Sequence, residues 1–339
     1  MKIKKIREIL PPGAVAVVEN GSNRFYLSGF ESSAGLVLIT TEEAFLLVDS
    51  RYFEAAKKRA EIDVAPIEDF DRMLGGIKTV LLEDSVSVGR LKEYKRKFEN
   101  AEFDCDLLGE RISCIRAKKS EAEKQRIKKA LELTEAAFSY ILKELSEGVS
   151  EREIKAKLNC FIEKNGGAPA FDTIVLSGAN TSLPHGTAGE RQFKKGDFIL
   201  LDFGARLDGY ASDMTRTVAL GKPDSGQKEV YKAVENALGA AEDCAVAGIS
   251  AKELDKSARS VIEAAGFGKS FLHALGHGVG IDVHERPTLS KKSAETLEPG
   301  MVFTLEPGVY LEGRFGVRIE NMSDFKTLNT QKTELLIIE

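Results

Sequence analysis

Four carboxylates and four histidines carry most of the chemistry open to this chain. Asp202 and Asp213 lie in FILLDFGARLDGYASDMTRTVAL (198–220), Glu306 in TLEPGVY and Glu320 in VRIEN. His273, His277 and His284 fall within the single segment HALGHGVGIDVHE, and His185 sits in SLPHGT ahead of the first acidic pair. An uncompensated buried charge costs about 3–5 kcal/mol. Converging acids therefore need either a solvated face with arginine partners, here Arg206 or Arg216, or divalent cations. Four negative charges balance two M²⁺ ions. An oxygen-rich donor set with one imidazole suits Mn²⁺, Co²⁺, Fe²⁺ or Zn²⁺, and carboxylates that bridge two such ions let them acidify a shared water, which is hydrolytic chemistry. Finding the whole histidine inventory beside the acids favours the cations. Glycines at 276, 278 and 280 strip side chains from the histidine segment and allow backbone or ligand to approach closely.

The elements that must position these groups follow from pattern. Phe198–Phe203 is apolar except for Asp202, Tyr210–Val218 is rich in β-branched and aromatic residues, and Asp208-Gly209 between them tolerates positive φ. That spacing predicts a β-hairpin. A loop centred on Leu207-Asp208 sets Asp202 opposite Asp213, and one centred on Asp208-Gly209 makes them diagonal neighbours; both registers keep the acids on one face. In VRIEN, read as a strand, Arg318 and Glu320 point the same way, so the guanidinium is expected to hold the Glu320 carboxylate from behind.

Upstream, Ser120-x-x-Glu123 and Ser150-x-x-Glu153 read as capping boxes. The first opens a long helix with the apolar stripe Ile127, Leu131, Thr134, Phe138, Ile141, Leu142 and Leu145, with its stop at Gly148; the second opens a helix that ends at Gly166-Gly167. An internal repeat is visible. At an offset of 100, Gly148–Gly167 matches Gly248–Phe267 at six identical positions. In the first half Gly196 is followed six residues later by Asp202 and then Gly204; in the second, Gly300 is followed six residues later by Glu306 and then Gly308. Each half returns to a second acid, Asp213 or Glu320, and each has a His-Gly pair upstream, His185-Gly186 or His277-Gly278. The expected catalytic domain is a pseudo-twofold of helix, helix and sheet, with the acids meeting near the axis.

At 339 residues the chain suits two domains. The net charge of −5 gives no long-range attraction for nucleic acid or anionic membranes. MKIKKIREIL lacks the apolar core of a signal peptide and no run of 18 apolar residues occurs, so a cytoplasmic protein is expected. Cys105, Cys114, Cys160 and Cys244 show no C-x-x-C spacing and read as reduced thiols, not ligands. Before the boundary near Ile115 to Lys119, strands are expected at Ala14–Val18, Leu36–Ile39, Phe45–Val48 and Thr79–Leu82, with helices at Arg51–Ala60 and Leu91–Phe98. This smaller α/β domain has no histidine and no phosphate loop, so its expected task is to shape access, orient substrate or build an oligomer interface. The domains are drawn as 1–115 and 116–339, and the fold class as α+β.

LDFGARLDGYASDMTRT, HALGHGVGIDVHE, TLEPGVY and VRIE together resemble the pita-bread metallopeptidases, which include methionine aminopeptidase, Xaa-Pro aminopeptidase and prolidase. The resemblance runs from about Ser120 to Glu339, and NRFYLSGF (Asn23–Phe30) is similar to the N-terminal domain shared by the proline-specific members and creatinase. It implies a pita-bread catalytic domain after a creatinase-like one. It also implies two divalent ions per chain, with Mn²⁺ or Co²⁺ ranked ahead of Zn²⁺ or Fe²⁺. Asp202 would chelate one ion, His277 and Glu306 the other, and Asp213 and Glu320 would bridge them. Glu306 would also shuttle the proton, His185 and His284 would contact the scissile carbonyl or tetrahedral intermediate, and His273 would line the leaving-residue side. A homodimer is the family expectation, with proline-containing peptides as substrates.

The N-terminal domain favours a proline-directed enzyme over a methionine aminopeptidase. Prolidases commonly place an arginine shortly after the last histidine to grip the dipeptide carboxylate; here Arg286 stands at +2 and Thr288 at +4. That placement ranks Xaa-Pro aminopeptidase first and Xaa-Pro dipeptidase second. A binding module of the same fold, or a metal-free enzyme like creatinase, is the reading from another class; such proteins lose ligands, and this chain keeps all five. The Xaa-Pro bond is a tertiary amide with no N–H, so its cleavage needs a strong nucleophile and an acid for the departing ring nitrogen.

Overall fold

The structure is a computed structural model that describes residues 2–339, and it divides into two compact units, Met1–Arg116 and Ala117–Glu339. In the first unit the strands are β1 (Ala14–Val18), β2 (Leu36–Ile39), β3 (Ala44–Val48), β4 (Asp63–Pro66), β5 (Thr79–Leu82) and β6 (Glu102–Asp104). They form one mixed sheet in the order β4-β3-β2-β1-β5-β6. Its helices are α1 (Lys2–Arg7), α2 (Gly21–Ser28), α3 (Ser50–Arg59), α4 (Val88–Lys97) and α5 (Leu107–Ala117). The expected strands and helices lie within a residue or three of these bounds. Sequence pattern misses α1, α2 and α5 and the short strands β4 and β6. The strands β4 and β6 sit at the two edges of the sheet, where one flank has no partner strand and the apolar signal is thin.

The second unit begins with α6 (Glu121–Ile141) and α7 (Glu151–Lys164), each opened by the expected capping box, at Ser120–Glu123 and Ser150–Glu153. The first of them ends at Ile141, well before Gly148, so Leu145 is buried from the turn that follows. Then come β7 (Ala168–Pro169), β8 (Ile174–Ser177), β9 (Phe198–Phe203), β10 (Ala205–Leu207), β11 (Tyr210–Ala211) and β12 (Met214–Leu220). Next are α8 (Ser225–Cys244) and α9 (Ala251–Ala264), followed by β13 (Gly276–Gly278), β14 (Glu285–Leu289), β15 (Phe303–Leu305), β16 (Gly308–Leu311), β17 (Phe315–Arg318), β18 (Asn321–Ser323) and β19 (Ile337–Ile338). Two four-stranded sheets result, β19-β12-β9-β8 and β14-β13-β15-β18.

The two halves of this unit repeat at the level of backbone hydrogen bonds. Gly148 N donates to Phe193 O and Gly248 N to Leu297 O; Phe193 N donates to Val149 O and Leu297 N to Ile249 O. Gly148 and Gly248 hold φ of 87° and 93°, and Gly196 and Gly300 hold 91° and 93°, the left-handed region that glycine enters without penalty. Each pair of helices has its own core. Ile154, Leu158 and Ile162, one face of α7, pack with Phe138, Leu201 and Phe203, while Leu254, Ala258 and Ile262 of α9 pack with Phe303, Leu305 and Val317. Burying a side chain of this size stabilises by about 1.5–3 kcal/mol, so each helix is fixed by one stripe. No helix among the described residues is long and apolar enough to cross a membrane.

Candidate metal centre

The first two acids come from the hairpin. Leu207 pairs with Tyr210, and both turn residues have positive φ, 49° at Asp208 and 79° at Gly209, so the loop centres on Asp208-Gly209. Asp202 consequently faces Thr215, and Asp213 is its diagonal neighbour on the same face. Ile199, Leu201 and Phe203 bury in the first core, so the alternate positions of β9, Asp202 among them, turn to the other side. A Cβ on Gly204 would lie 1.8 Å from Ser212 O, so only glycine lets the strands stay this close.

The second half supplies the rest. Asp213, His277 and Glu320 each offer a ligand atom within 4.8 Å of the others. His277 Nε2 lies 3.7 Å from Asp213 Oδ2 and 3.4 Å from Glu306 Oε1. On the other side of that ring Nδ1 is 3.2 Å from the Gly278 carbonyl, which places the ring proton there and leaves the Nε2 lone pair facing the carboxylates. Burial first, and the neighbouring His284 next, lower His277 to about 4, so near neutral pH it is an acceptor facing acceptors. A proton or a cation must lie between them.

The acids give the same reading. Burial, then the charges of Glu320, Asp202 and Glu306, push Asp213 well above the usual carboxylate range. Burial and then Glu320 do the same to Glu306, while burial and then Asp202 raise Glu320 to about 8. Asp213 Oδ1 is buried without a hydrogen-bond partner. An orphaned carboxylate oxygen, an imidazole lone pair and three mutually destabilised acids form a donor set that fits divalent cations.

Arg318 departs from expectation. It donates through Nη2 to Asp202, not to Glu320, and through Nη1 to Tyr310 Oη at 2.6 Å. The reason is local: β17 ends at Arg318 and β18 starts at Asn321, so the alternation assumed for VRIEN breaks between them. Glu320 N bonds Thr215 O, and its Oε2 accepts from Thr215 Oγ1 at 2.7 Å. Nor do Arg206 and Arg216 partner the acids: Arg206 donates to Gly209 O, and Arg216 to the carbonyls of Thr215, Glu320, Gln331 and Lys332 and to Asn321 Oδ1.

The remaining histidines stand around this group. His273 Nδ1 lies 2.8 Å from Ala274 O and 4.0 Å from Glu306 Oε2, and its Nε2 lies 2.9 Å from Tyr310 Oη. With Arg318 donating to the same hydroxyl, Tyr310 passes its own proton toward His273, whose pKa falls to about 4 through burial first and Arg318 second. The His284 ring centroid is 4.2 Å from that of His277; the residue reaches solvent, while the packed side of its ring is desolvated enough to lower its pKa. His185 is exposed too, and lies near enough to both His273 and His284 to bear on their electrostatics. Tyr310, the last residue of TLEPGVY, and Thr215 are the two site residues not expected from sequence. The signal for Thr215 was its alternation with Asp213 along one strand; Tyr310 carried none beyond its motif.

Comparison with known proteins agrees with this geometry. Residues 125–323 match the model of Metallopeptidase family M24, and residues 13–111 that of the Creatinase/Prolidase N-terminal domain. The chain is 40% identical over 327 residues to an Xaa-Pro dipeptidase of Pyrococcus horikoshii, covering 94% of this chain and 93% of the relative. It superposes on the crystal structure of the prolidase from Pyrococcus horikoshii OT3 with a TM-score of 0.94, at 38% identity and 99% coverage of both chains. On the X-Pro aminopeptidase from Thermotoga maritima the TM-score is 0.91, at 35% identity, covering 98% of this chain and 99% of that one. The fold is therefore the pita-bread one with a creatinase-type domain before it, and the protein is a metal-dependent peptidase. With more than half its length inside the catalytic-domain match, the chain belongs to metallopeptidase family M24.

Proposed function

We propose that this chain is an Xaa-Pro dipeptidase in which Asp202, Asp213, His277, Glu306 and Glu320 hold two divalent ions. The gathering of Asp213, His277 and Glu320 within 4.8 Å carries the metal reading, and similarity to the Pyrococcus horikoshii dipeptidase over nearly the whole chain carries the substrate. That similarity reverses the order expected from the position of Arg286. Ions held there supply Lewis acidity toward the scissile carbonyl and a more acidic water. Mn²⁺ or Co²⁺ is the working choice, as this donor set suits them. The expected homodimer and cytoplasmic location stay within the proposal; sedimentation and cell fractionation test them.

The chain's own residues do the rest. Glu306 would take up the proton that the attacking water gives up and hand it on to the departing pyrrolidine nitrogen. His284, whose pKa burial lowers, stays neutral and donates a hydrogen bond to the carbonyl oxygen, with His185 beside it. His273, fixed by Tyr310 and Ala274, lines the leaving-residue side. Purified protein loaded with Mn²⁺ is expected to cleave Ala-Pro and leave N-acetyl-Ala-Pro intact; turnover of the acetylated peptide at the same rate would refute a free-amine requirement.

One observation favours Xaa-Pro aminopeptidase as the second reading. A dipeptidase needs a cation for the substrate carboxylate, and Arg286 is engaged with Glu295, Nε to Oε1 at 2.6 Å. Faster cleavage of Ala-Pro-Ala than of Ala-Pro would select that reading.

A further inference from the structure

A buried ion pair outside the ligand group lies against the histidine segment. Lys119 Nζ is 2.7 Å from Glu285 Oε1, with the two side chains only 2% and 8% exposed. Lys119 stands just ahead of the Ser120 cap of α6, and its backbone N donates to Gly300 O at 2.7 Å, on the turn that leads into β15 and Glu306. Glu285 directly follows His284 and pairs in register with Gly278, the neighbour of His277. The ladder between β13 and β14 shifts register between His277 and Gly278. A Cβ on Gly280 would meet Glu285 Oε1 at 2.1 Å, so the carboxylate rests on the backbone of the segment that carries His277.

An ion pair this deep is a poor source of stability, because desolvation offsets most of the attraction and apolar replacements of similar volume are often neutral. Its effect is better sought in geometry. We propose that Lys119 and Glu285 are positioning residues that fix the β13–β14 hairpin, and so hold the His277 and His284 rings in their 4.2 Å relationship. The pair clamps the start of the second unit, the turn before β15 and the two histidines to one carboxylate. This deepens the metal reading and rests on it: His277 must be a ligand for the pair to matter to an ion.

The test uses Co²⁺ and the full-length chain, with no peptide needed. Wild type, Lys119→Arg, Glu285→Gln and the apolar double variant K119M/E285L are titrated with Co²⁺ by calorimetry and followed by visible absorption. Outer partners of metal ligands commonly change affinity by roughly 10–100-fold. In Glu285→Gln and in the double variant, one of two Co²⁺ equivalents is expected to bind about tenfold more weakly, with altered visible bands, while the other binds as in wild type; Lys119→Arg should keep both. If the double variant melts like wild type yet binds both equivalents with unchanged affinity and spectrum, the pair only packs and the proposal fails. Should the double variant not fold, unchanged Co²⁺ binding by Glu285→Gln overturns it equally. A wild-type chain that binds two Co²⁺ ions but leaves Ala-Pro intact fails the substrate reading alone.

Discussion

Arg318 grips Asp202 and leaves Glu320, two residues further along the chain, to the hydroxyl of Thr215. Burial would lower the guanidinium's pKa, but the hydrogen bond to Tyr310 and the charges of Asp202 and Glu306 outweigh it and hold Arg318 firmly protonated. It therefore acts as a fixed positive charge behind Asp202, a proposed ligand, and as the first donor in a chain through Tyr310 to His273.

Replacing Arg318 with methionine removes that charge while keeping most of the volume. Divalent-ion affinity should fall roughly 10–100-fold, as for other outer partners of metal ligands. Calorimetric Mn²⁺ titration reads it; an unchanged isotherm would show that Asp202 needs no such partner.

Tyr310→Phe cuts the relay without touching a ligand. Arg318 Nη1 keeps only its 3.4 Å contact to Pro184 O, and His273 Nε2 loses its donor. The expected result is unchanged metal content with kcat lowered about tenfold or more. Loss of metal in proportion to activity would assign Tyr310 to the ligand framework.

Asp213→Ala should abolish most metal binding and turnover while the fold survives. Its neighbour Met214 and, further along, Val218 belong to the first core, so the strand stays anchored without the acid. Elemental analysis and circular dichroism on one preparation check both halves of the statement.

The pH dependence of the metal-free protein has a defined sign. Glu320 is raised to about 8 by burial and then Asp202, against an unfolded value of about 4.3. The folded state thus binds the proton more tightly, and stability is lost as pH climbs from the unfolded value through the folded one. Metal binding shifts the other way, because metal displaces those protons and its affinity grows with pH. Below about pH 7 the buried neutral His273 and His277, both lowered to about 4, act in the opposite sense. The range that isolates Glu320 lies above it: Tm measured with and without Mn²⁺ between about pH 7 and pH 9 should diverge, and a metal-free Tm that rises with pH there would contradict this.

Gly204→Ala tests the closeness of the hairpin. The added methyl collides with a backbone carbonyl, not a flexible side chain, so a loss of about 1–3 kcal/mol or more is expected. Because the clash separates Asp202 from Asp213, metal affinity should fall with it, as a titration of the folded fraction would show.

Much of the centre was legible because its signals are local. Asp208-Gly209 marks the turn, capping serines mark the helix starts, and the two glycine-led strands mark the repeat; each depends on a few neighbouring residues. What escaped depends on register between distant segments. The hairpin allowed two pairings of Asp202, and only the positive φ of both Asp208 and Gly209 chooses between them. Arg318 was assigned to Glu320 by strand alternation, which fails where β17 stops. Lys119 and Glu285 are 166 residues apart, and nothing in either local sequence announces the other.

The division of the ligands between the two repeats has a mechanical meaning. On the proposed assignment Asp202 and Asp213 ride on the first half and His277, Glu306 and Glu320 on the second; each pair of helices covers its own core, with Phe198 and Ala219 of the first half reaching into the second. On that assignment neither half alone carries a complete coordination set, so bound cations would act as rivets across a seam. Stripping them would loosen that seam before either interior melts, and a chelator should make residues 221–224, the bridge between the halves, the first place a protease cuts.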